Sequence, residues 1–271
     1  VLVEPCAQTS AWITAAAKYL AAVSGADLLS LASVPSNTAL HQQLESLCPG
    51  VLPEEGAPFI DLGAWNSWSD YETNLSKSFR KSLQRRARRM AEKGSIEFRF
   101  DVDLDSDSLA DTIAWITRHK RDWLKQRGIE RWLLTSDKYA DAMVRTLADA
   151  PHINMLVSRL LVDGETVAAD VNQLAGDRMY SDYETFDLVW SKYSPGALLM
   201  SESIRWAFDH KLMLFDLGRG VDDYKLKWSS GVATLNRFLY PCNMRGRIYV
   251  LLRTSGMADF VARHRMKAWF D

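Results

Sequence analysis

The hydrophobic and polar positions of this chain repeat with two different periods, and the changes of period mark its elements. Residues 155–162 form an apolar run, Asp163-Gly164 supplies a two-residue hairpin turn, and residues 166–174 return. A second turn at Gly176-Asp177 leads into residues 179–186, so the pattern predicts a three-stranded antiparallel meander. Ser194-Pro195-Gly196 then opens a helical pattern from Ala197 to about His210. A strand at 213–217, the turn Gly218-Arg219-Gly220, a short helix near 222–228, a last strand at 234–241 and a tail helix at 259–270 complete the expectation.

Upstream of the meander the elements are shorter. Residues 10–23 predict a helix that starts at the capping residue Ser10 and stops at Gly25. A strand from Asp27, a helix over 36–47, a Pro- and Gly-rich loop through Pro58 and a short strand at 59–62 come next. Such a set makes a poor independent core, so residues 1–75 are expected to be half of a domain or a wing packed on the downstream residues. Residues 96–100 alternate as a strand, and helical patterns cover about 108–126 and 137–150. No internal repeat of fixed period appears.

Residues 77–93 change character. Lys77, Arg80, Lys81, Arg85, Arg86, Arg88, Arg89 and Lys93 are opposed by Glu92 alone, while Phe79, Leu83, Ala87, Met90 and Ala91 line one helix face. This stretch reads either as a surface helix with a solvated basic side or as a landing site for phosphates or an anionic polymer. Nucleic acid is disfavoured, because no stacking aromatics interleave with the basic residues.

Composition narrows the classes. At 271 residues, with 47% hydrophobic and 25% charged side chains, the chain can bury a core without a disulfide or metal staple. Lys and Arg total 33 against 34 Asp and Glu, which excludes a globally basic binder of nucleic acid or membrane. The 3 cysteines, Cys6, Cys48 and Cys242, lie far apart, so neither a disulfide framework nor a structural zinc is expected, and a reducing, cytoplasmic location is. The 5 histidines show no ligand spacing, and no metal is expected. No apolar run approaches the roughly 20 residues that span a bilayer. The sequence starts at Val1 without a signal-peptide layout, and the expectation is a piece of something longer.

One turn has physical promise for an anion. A helix N-terminus presents unpaired N–H groups and a positive dipole end; Pro195 fixes the entry and Gly196 leaves the backbone approachable. The surrounding residues carry a resemblance. Tyr193-Ser-Pro-Gly-Ala-Leu-Leu, Phe215-Asp-Leu-Gly-Arg-Gly and Asp223-Tyr-Lys-Leu-Lys-Trp, with Phe79-Arg-Lys-Ser-Leu-Gln-Arg-Arg-Ala-Arg-Arg and Leu161-Val-Asp-Gly-Glu-Thr-Val-Ala-Ala upstream, resemble the GNAT-type acyltransferase module of cellulose-biosynthesis-associated acetyltransferases. The resemblance covers about residues 76–240. It implies an α/β acyl-CoA N-acyltransferase fold with a mixed, mostly antiparallel sheet flanked by helices. Fem-type peptidyltransferases share that fold, and their Phe-Lys motif resembles Tyr224-Lys225.

The resemblance also implies roles and boundaries. Residues 76–243 are the expected acyltransferase domain, 1–75 the end of a first acyltransferase-like half, and 244–271 a helical tail. In this fold acyl-CoA lies in a splayed gap between two central strands. Residues 179–186, including Tyr183, match the strand that pairs with pantetheine, and Ser194, Pro195, Gly196 and Ala197 match the pyrophosphate turn. Gly196 lacks the second glycine of the family's common loop, so another activated acyl donor stays open.

Acyl transfer needs a base, donors for the developing oxyanion and an acid for the leaving thiolate. Tyr224 matches the position of that acid, the alternative being a core tyrosine. Lys225 either holds a phosphate, polarises a carbonyl or is simply solvated. Glu184 and Asp187 rank above Asp182 as base candidates, and strict period-two geometry would put Asp182 and Glu184 on one face with Tyr183 on the other. Asp216 is read as a residue that pins the turn after it. The expected activity is transfer of an acetyl or other acyl group from acyl-CoA to an amine or hydroxyl of a small-molecule or saccharide acceptor, in exopolysaccharide or cellulose production. The alternatives are a Fem-like transferase using aminoacyl-tRNA and a non-catalytic scaffold in a polysaccharide synthase complex.

Overall fold

The computed structural model describes residues 9–36, 38–102, 104–129, 136–148 and 154–255. In chain order these form α1 (Thr9–Val23), β1 (Leu28–Pro35), α2 (Ala39–Leu47), β2 (Gly50–Asp61), α3 (Trp68–Asn74), α4 (Lys77–Ala91), β3 (Ile96–Val102), α5 (Ser106–Gln126) and α6 (Asp137–Ala148). Then come β4 (Asn154–Val162), β5 (Glu165–Ala175), β6 (Arg178–Phe186), α7 (Pro195–Asp209), β7 (Leu214–Asp216), α8 (Asp223–Leu226), β8 (Gly231–Pro241) and α9 (Met244–Thr254). The chain divides into two compact units: residues 58–218 with 222–231, and residues 1–57 with 219–221 and 232–271.

The larger unit is built on the meander. Its strands run in the order β2-β7-β6-β5-β4-β3, antiparallel throughout except for β6 and β7, which are parallel. Asp163 and Gly164 take the two positive φ angles, 50° and 85°, that a tight hairpin requires, and Asp163 Oδ1 accepts the Ser95 N–H at 2.8 Å. Gly94 abuts that carboxylate so closely that a Cβ would overlap it. One sheet face packs Leu156, Leu160, Ala168 and Met179 against α4 and α7, through Leu83, Met90, Leu199 and Ile204. The other packs Val157, Ala169, Val171 and Tyr183 against Ile113 and Ile116 of α5. This mixed, mostly antiparallel sheet between helical layers is the expected fold class.

Helix α4 starts at Ser76, whose hydroxyl accepts the Phe79 N–H, and buries Leu83 and Met90 while Lys77, Lys81, Arg85, Arg88 and Arg89 stay exposed. The smaller unit pairs β1 with β8 antiparallel and encloses Val34, Leu44, Cys48 and Phe238. Within it, the half-buried Glu54, whose carboxyl is held below its ordinary range against the opposing effect of burial by the Ser33 N–H, Arg237 and Arg219, bonds Arg237 at 2.7 Å.

One expectation is corrected. Residues 50–58 are not a loop but most of β2; Pro and Gly weaken a strand without forbidding it where their missing groups lie off the ladder, and the Pro58 carbonyl still accepts the Leu217 N–H at 2.9 Å. Residues 244–254 form α9, capped by Asn243. The expected tail helix at 259–270 lies outside the described residues.

Candidate active site

Strands β6 and β7 pair over only three residues, Arg178↔Leu214, Met179↔Phe215 and Tyr180↔Asp216. Beyond Tyr180↔Asp216 the ladder stops. The chain leaves β7 through Gly218, at φ +76°, where a Cβ would stand 3.2 Å from the Ser181 carbonyl oxygen. That approach and that φ together explain the glycine. Asp216 Oδ1 accepts the Gly218 N–H at 2.8 Å, so Asp216 does pin the turn. Burial raises the Asp216 carboxyl above its ordinary range, offset in part by Gly218, Lys225 and Arg178.

Helix α8 brings the next two candidates to this gap. Lys225, buried at 8% exposure, points back and donates to the Gly218 carbonyl at 3.2 Å. Tyr224 points the other way: its hydroxyl donates to Glu184 Oε1 of β6 at 2.6 Å. Tyr224 as a residue is 44% exposed, yet its hydroxyl end is desolvated and faces the charges of Glu184 and Asp222, and together these push the phenol far above its usual range. A residue forty positions away thus meets the candidate base directly.

The β5–β6 register breaks between Val171↔Tyr183 and Asn172↔Ser181, leaving Asp182 as the extra residue of a β-bulge. The bulge corrects the period-two reading. Glu184 lies across from Asp170, on the α7 face, whereas the Asp182 carboxylate accepts from Gln173 at 2.7 Å, and its charge adds to the burial that raises the Tyr139 phenol of α6. Tyr183 is buried against α5, its hydroxyl 3.2 Å from Thr117 Oγ1, so what it can offer a ligand on β6 is backbone. Lys120 of α5 lies over that ring and donates to the Glu184 carbonyl at 3.0 Å.

Asp187 and the Ser194–Ala197 turn sit beyond the same end of β6. The Asp187 carboxylate accepts the Val189 N–H at 2.9 Å and caps the 3-10 helix Leu188–Tyr193. Ser194 is left-handed at φ 52° and caps α7 with its carbonyl, which takes the Ala197 and Leu198 N–H groups, while its side chain makes no capping bond. Pro195 has no N–H. The Gly196 N–H at the second position of α7 therefore remains without an intrahelical acceptor. A Cβ at Gly196 would only touch the Phe186 ring at 3.5 Å, so the packing does not demand glycine there.

One polar group was missed by sequence reasoning. Asp170 of β5 is 5% exposed, bonded by Asn172 Nδ2 at 2.7 Å and by Ser203 Oγ of α7 at 3.3 Å. Burial pushes its carboxyl up to about 7. Its signal in the sequence was an Asp and an Asn two apart, on one face of an otherwise apolar central strand. Among the described residues no group of His, Cys, Asp and Glu side chains converges as a metal site requires, and no helix is long and apolar enough to cross a membrane.

The parallel β6–β7 pair ends after three residues, the α7 N-terminus follows β6, and the Tyr224–Glu184 bond joins α8 to β6. Residues 77–226 match the acetyltransferase (GNAT) domain family, and the chain belongs to it. Among solved structures it is similar to FemX, with a TM-score of 0.59 at 12% identity over 90% of this chain and 79% of that one. It is also similar to a conserved protein of unknown function from Bacteroides thetaiotaomicron VPI-5482, with a TM-score of 0.55 at 12% identity over 86% of this chain and 75% of that one. No curated protein matches the sequence.

Proposed function

We propose that this protein transfers an acetyl or other acyl group from acyl-CoA to an amine or hydroxyl, with Glu184 as base and Tyr224 as acid. The observation that carries the reading is the 2.6 Å bond between them. In a ternary complex the acceptor nitrogen or oxygen attacks the thioester carbon and gives its proton to Glu184. The C–S bond breaks, the thiolate takes the Tyr224 proton, and the phenoxide recovers one from Glu184. Each proton is accounted for within the pair. Lys225 holds the turn at Gly218 and lends positive charge to the developing oxyanion or a donor phosphate. Asp187, engaged as a cap, is the weaker base candidate.

The donor's pyrophosphate is assigned to the Ser194–Ala197 turn and its pantetheine to the open edge of β6 past Tyr180. The finer assignments stay with the sequence resemblance: a saccharide acceptor, exopolysaccharide or cellulose production, a synthase complex, a cytoplasmic location, and residues 1–75 and 244–271 as flanks of the acyltransferase domain. Calorimetry against acetyl-CoA, longer acyl-CoAs and CoA, combined with free-thiol release with amine and sugar acceptors, tests the core reading. Micromolar binding with acceptor-dependent thiol release is the expected result; absence of both leaves a non-catalytic scaffold.

Gly196→Asp is expected to abolish CoA binding, because it sets a side chain and a negative charge at the pyrophosphate position. The fold should survive: the added Cβ meets only the Phe186 ring, and a helix N-terminus favours Asp. Unchanged CoA affinity in the folded variant moves the donor site elsewhere.

A second reading is favoured by α4 and by the likeness to FemX: a Fem-like transferase whose donor is aminoacyl-tRNA. Arg85, Arg88 and Arg89 are exposed, with no acidic partner among the described residues, and α4 packs against the turn that leads into α7. Reversing Arg85 and Arg89 to Glu separates the readings. Under the first, tRNA binding is negligible in both proteins, and any loss of CoA affinity is salt-dependent. Salt-sensitive tRNA binding by the parent that the variant loses selects the second.

A further inference from the structure

Helix α9 has two unlike faces. Inward, Gly246 lies so close to the Asp27 carbonyl that a Cβ would overlap it, and Val250 and Leu239 close over Gly50. Asn243 caps the helix and donates to the Asp27 carboxylate at 2.5 Å, so the rotation of α9 within the smaller unit is fixed. Outward, Met244, Ile248 and Leu251 stand on one stripe at i, i+4 and i+7, each more than half exposed. Arg245 and Arg247 flank this ridge and Arg253 ends it, all three exposed. The helix holds no acidic residue, and none of the three arginines meets a carboxylate among the described residues. Arg245 and Arg247 also oppose the helix dipole in the first turn, so helix stability does not account for them. In sequence, residues 256–271 continue this composition: Phe260, Val261, Trp269 and Phe270 interleave with Arg263, Arg265 and Lys267, against Asp259 and Asp271.

We propose that the outer face of α9, with the sequence that follows it, docks on a lipid bilayer bearing anionic headgroups. An apolar ridge between arginines is the signature of a helix that lies in the interface: the ridge enters the headgroup boundary and the guanidinium groups reach lipid phosphates. The 11 residues of α9 extend only about 16 Å, roughly half the hydrocarbon core, so the helix lies on the bilayer and does not cross it. The near-neutral chain, with a net charge of −1, does not oppose this. Attraction to a charged surface fades within about 10 Å, so the local arginines decide. A second copy fits the ridge less well, because a symmetric contact between two α9 faces sets arginine against arginine with no acid to separate them. The proposal is independent of the acyl-transfer reading.

The test is flotation of the full chain with vesicles of phosphatidylcholine alone and of phosphatidylcholine mixed with phosphatidylglycerol. The expected result is binding to the mixed vesicles, weakened by salt, and little binding to the neutral ones. Arg245→Gln, Arg247→Gln and Arg253→Gln together should lower partition onto the mixed vesicles by roughly 100-fold, at about fivefold for each cation. Met244→Ser, Ile248→Ser and Leu251→Ser together should also lower it and leave the remainder wholly salt-sensitive. All six side chains are exposed, so both variants should keep the parent's melting temperature. Lys125→Gln, Lys138→Gln and Arg145→Gln remove the same charge from α5 and α6 and should bind as the parent does. A parent that binds neither vesicle, or both equally, overturns the proposal, as does an equal loss in the α5–α6 variant. A dimer seen by light scattering that the serine variant dissolves, without vesicle binding, gives the ridge to a second copy and overturns it too.

Discussion

Tyr224→Phe is expected to lower turnover by roughly 10²–10⁴-fold, the range for a positioned acid, with CoA affinity little changed. The ring keeps its place on α8 and only the hydroxyl bonded to Glu184 is lost. A phenol pushed far above its usual range is a poor acid by itself, because its anion would be desolvated and would face Glu184 and Asp222. It can protonate a thiolate only while Glu184 carries the proton taken from the acceptor. The two transfers are therefore coupled, and both variants should be severe. Glu184→Gln keeps an acceptor for the phenol but removes the base, so it should fall by a comparable factor. The raised phenol adds a further expectation: Tyr224 contributes no loss of rate on the alkaline side up to about pH 10. Free-thiol release and calorimetry on the three proteins decide the matter. Equal rates in Tyr224→Phe and the parent would remove Tyr224 from the mechanism.

The parts of this site differ in how far local sequence discloses them. The meander was legible because its strands are short apolar runs bounded by turn residues and Asp163-Gly164 can hardly be anything but a hairpin turn. Tyr224 and Glu184 were legible as residues, through family resemblance and strand position, but their bond was not: it depends on where α8 is carried after β7. The bulge at Asp182 was invisible because Met179–Phe186 contains no glycine or proline to mark an extra residue. One unmarked insertion was enough to send Asp182 to Gln173 and leave Glu184 facing Asp170. The first part of β2 was concealed for the opposite reason, since Pro53, Gly56 and Pro58 look like loop residues; only its end at 59–61, which pairs with β7, reads as a strand. Local chemistry announces turns well. It announces non-local pairing poorly, and the candidate chemistry here depends on the pairing.

Asp170→Asn is expected to stabilise the fold at neutral pH and to do so increasingly as the pH rises. The carboxyl stands at about 7 in the folded chain against an ordinary 3.8, so the folded state holds its proton over a window in which the unfolded chain has lost it. The contribution of Asp170 to stability is therefore whole below about pH 4 and drains away as the pH rises towards 7. A separation of about three units at ~1.4 kcal/mol each makes the loss on the order of 4 kcal/mol. Asparagine does not titrate, and its amide can accept from Asn172 and donate to Ser203, the two groups that hold the acid now. The variant should thus track the parent near pH 4 and exceed it by about 10 °C in melting temperature at pH 7.5. Denaturant unfolding at four pH values between 4 and 8 measures the same difference as a free energy. A gap that stays constant across that range would mean that Asp170 is ionised throughout, with a compensating charge that the described residues do not contain. A gap that opens with pH identifies a carboxyl kept in the core at a cost to stability.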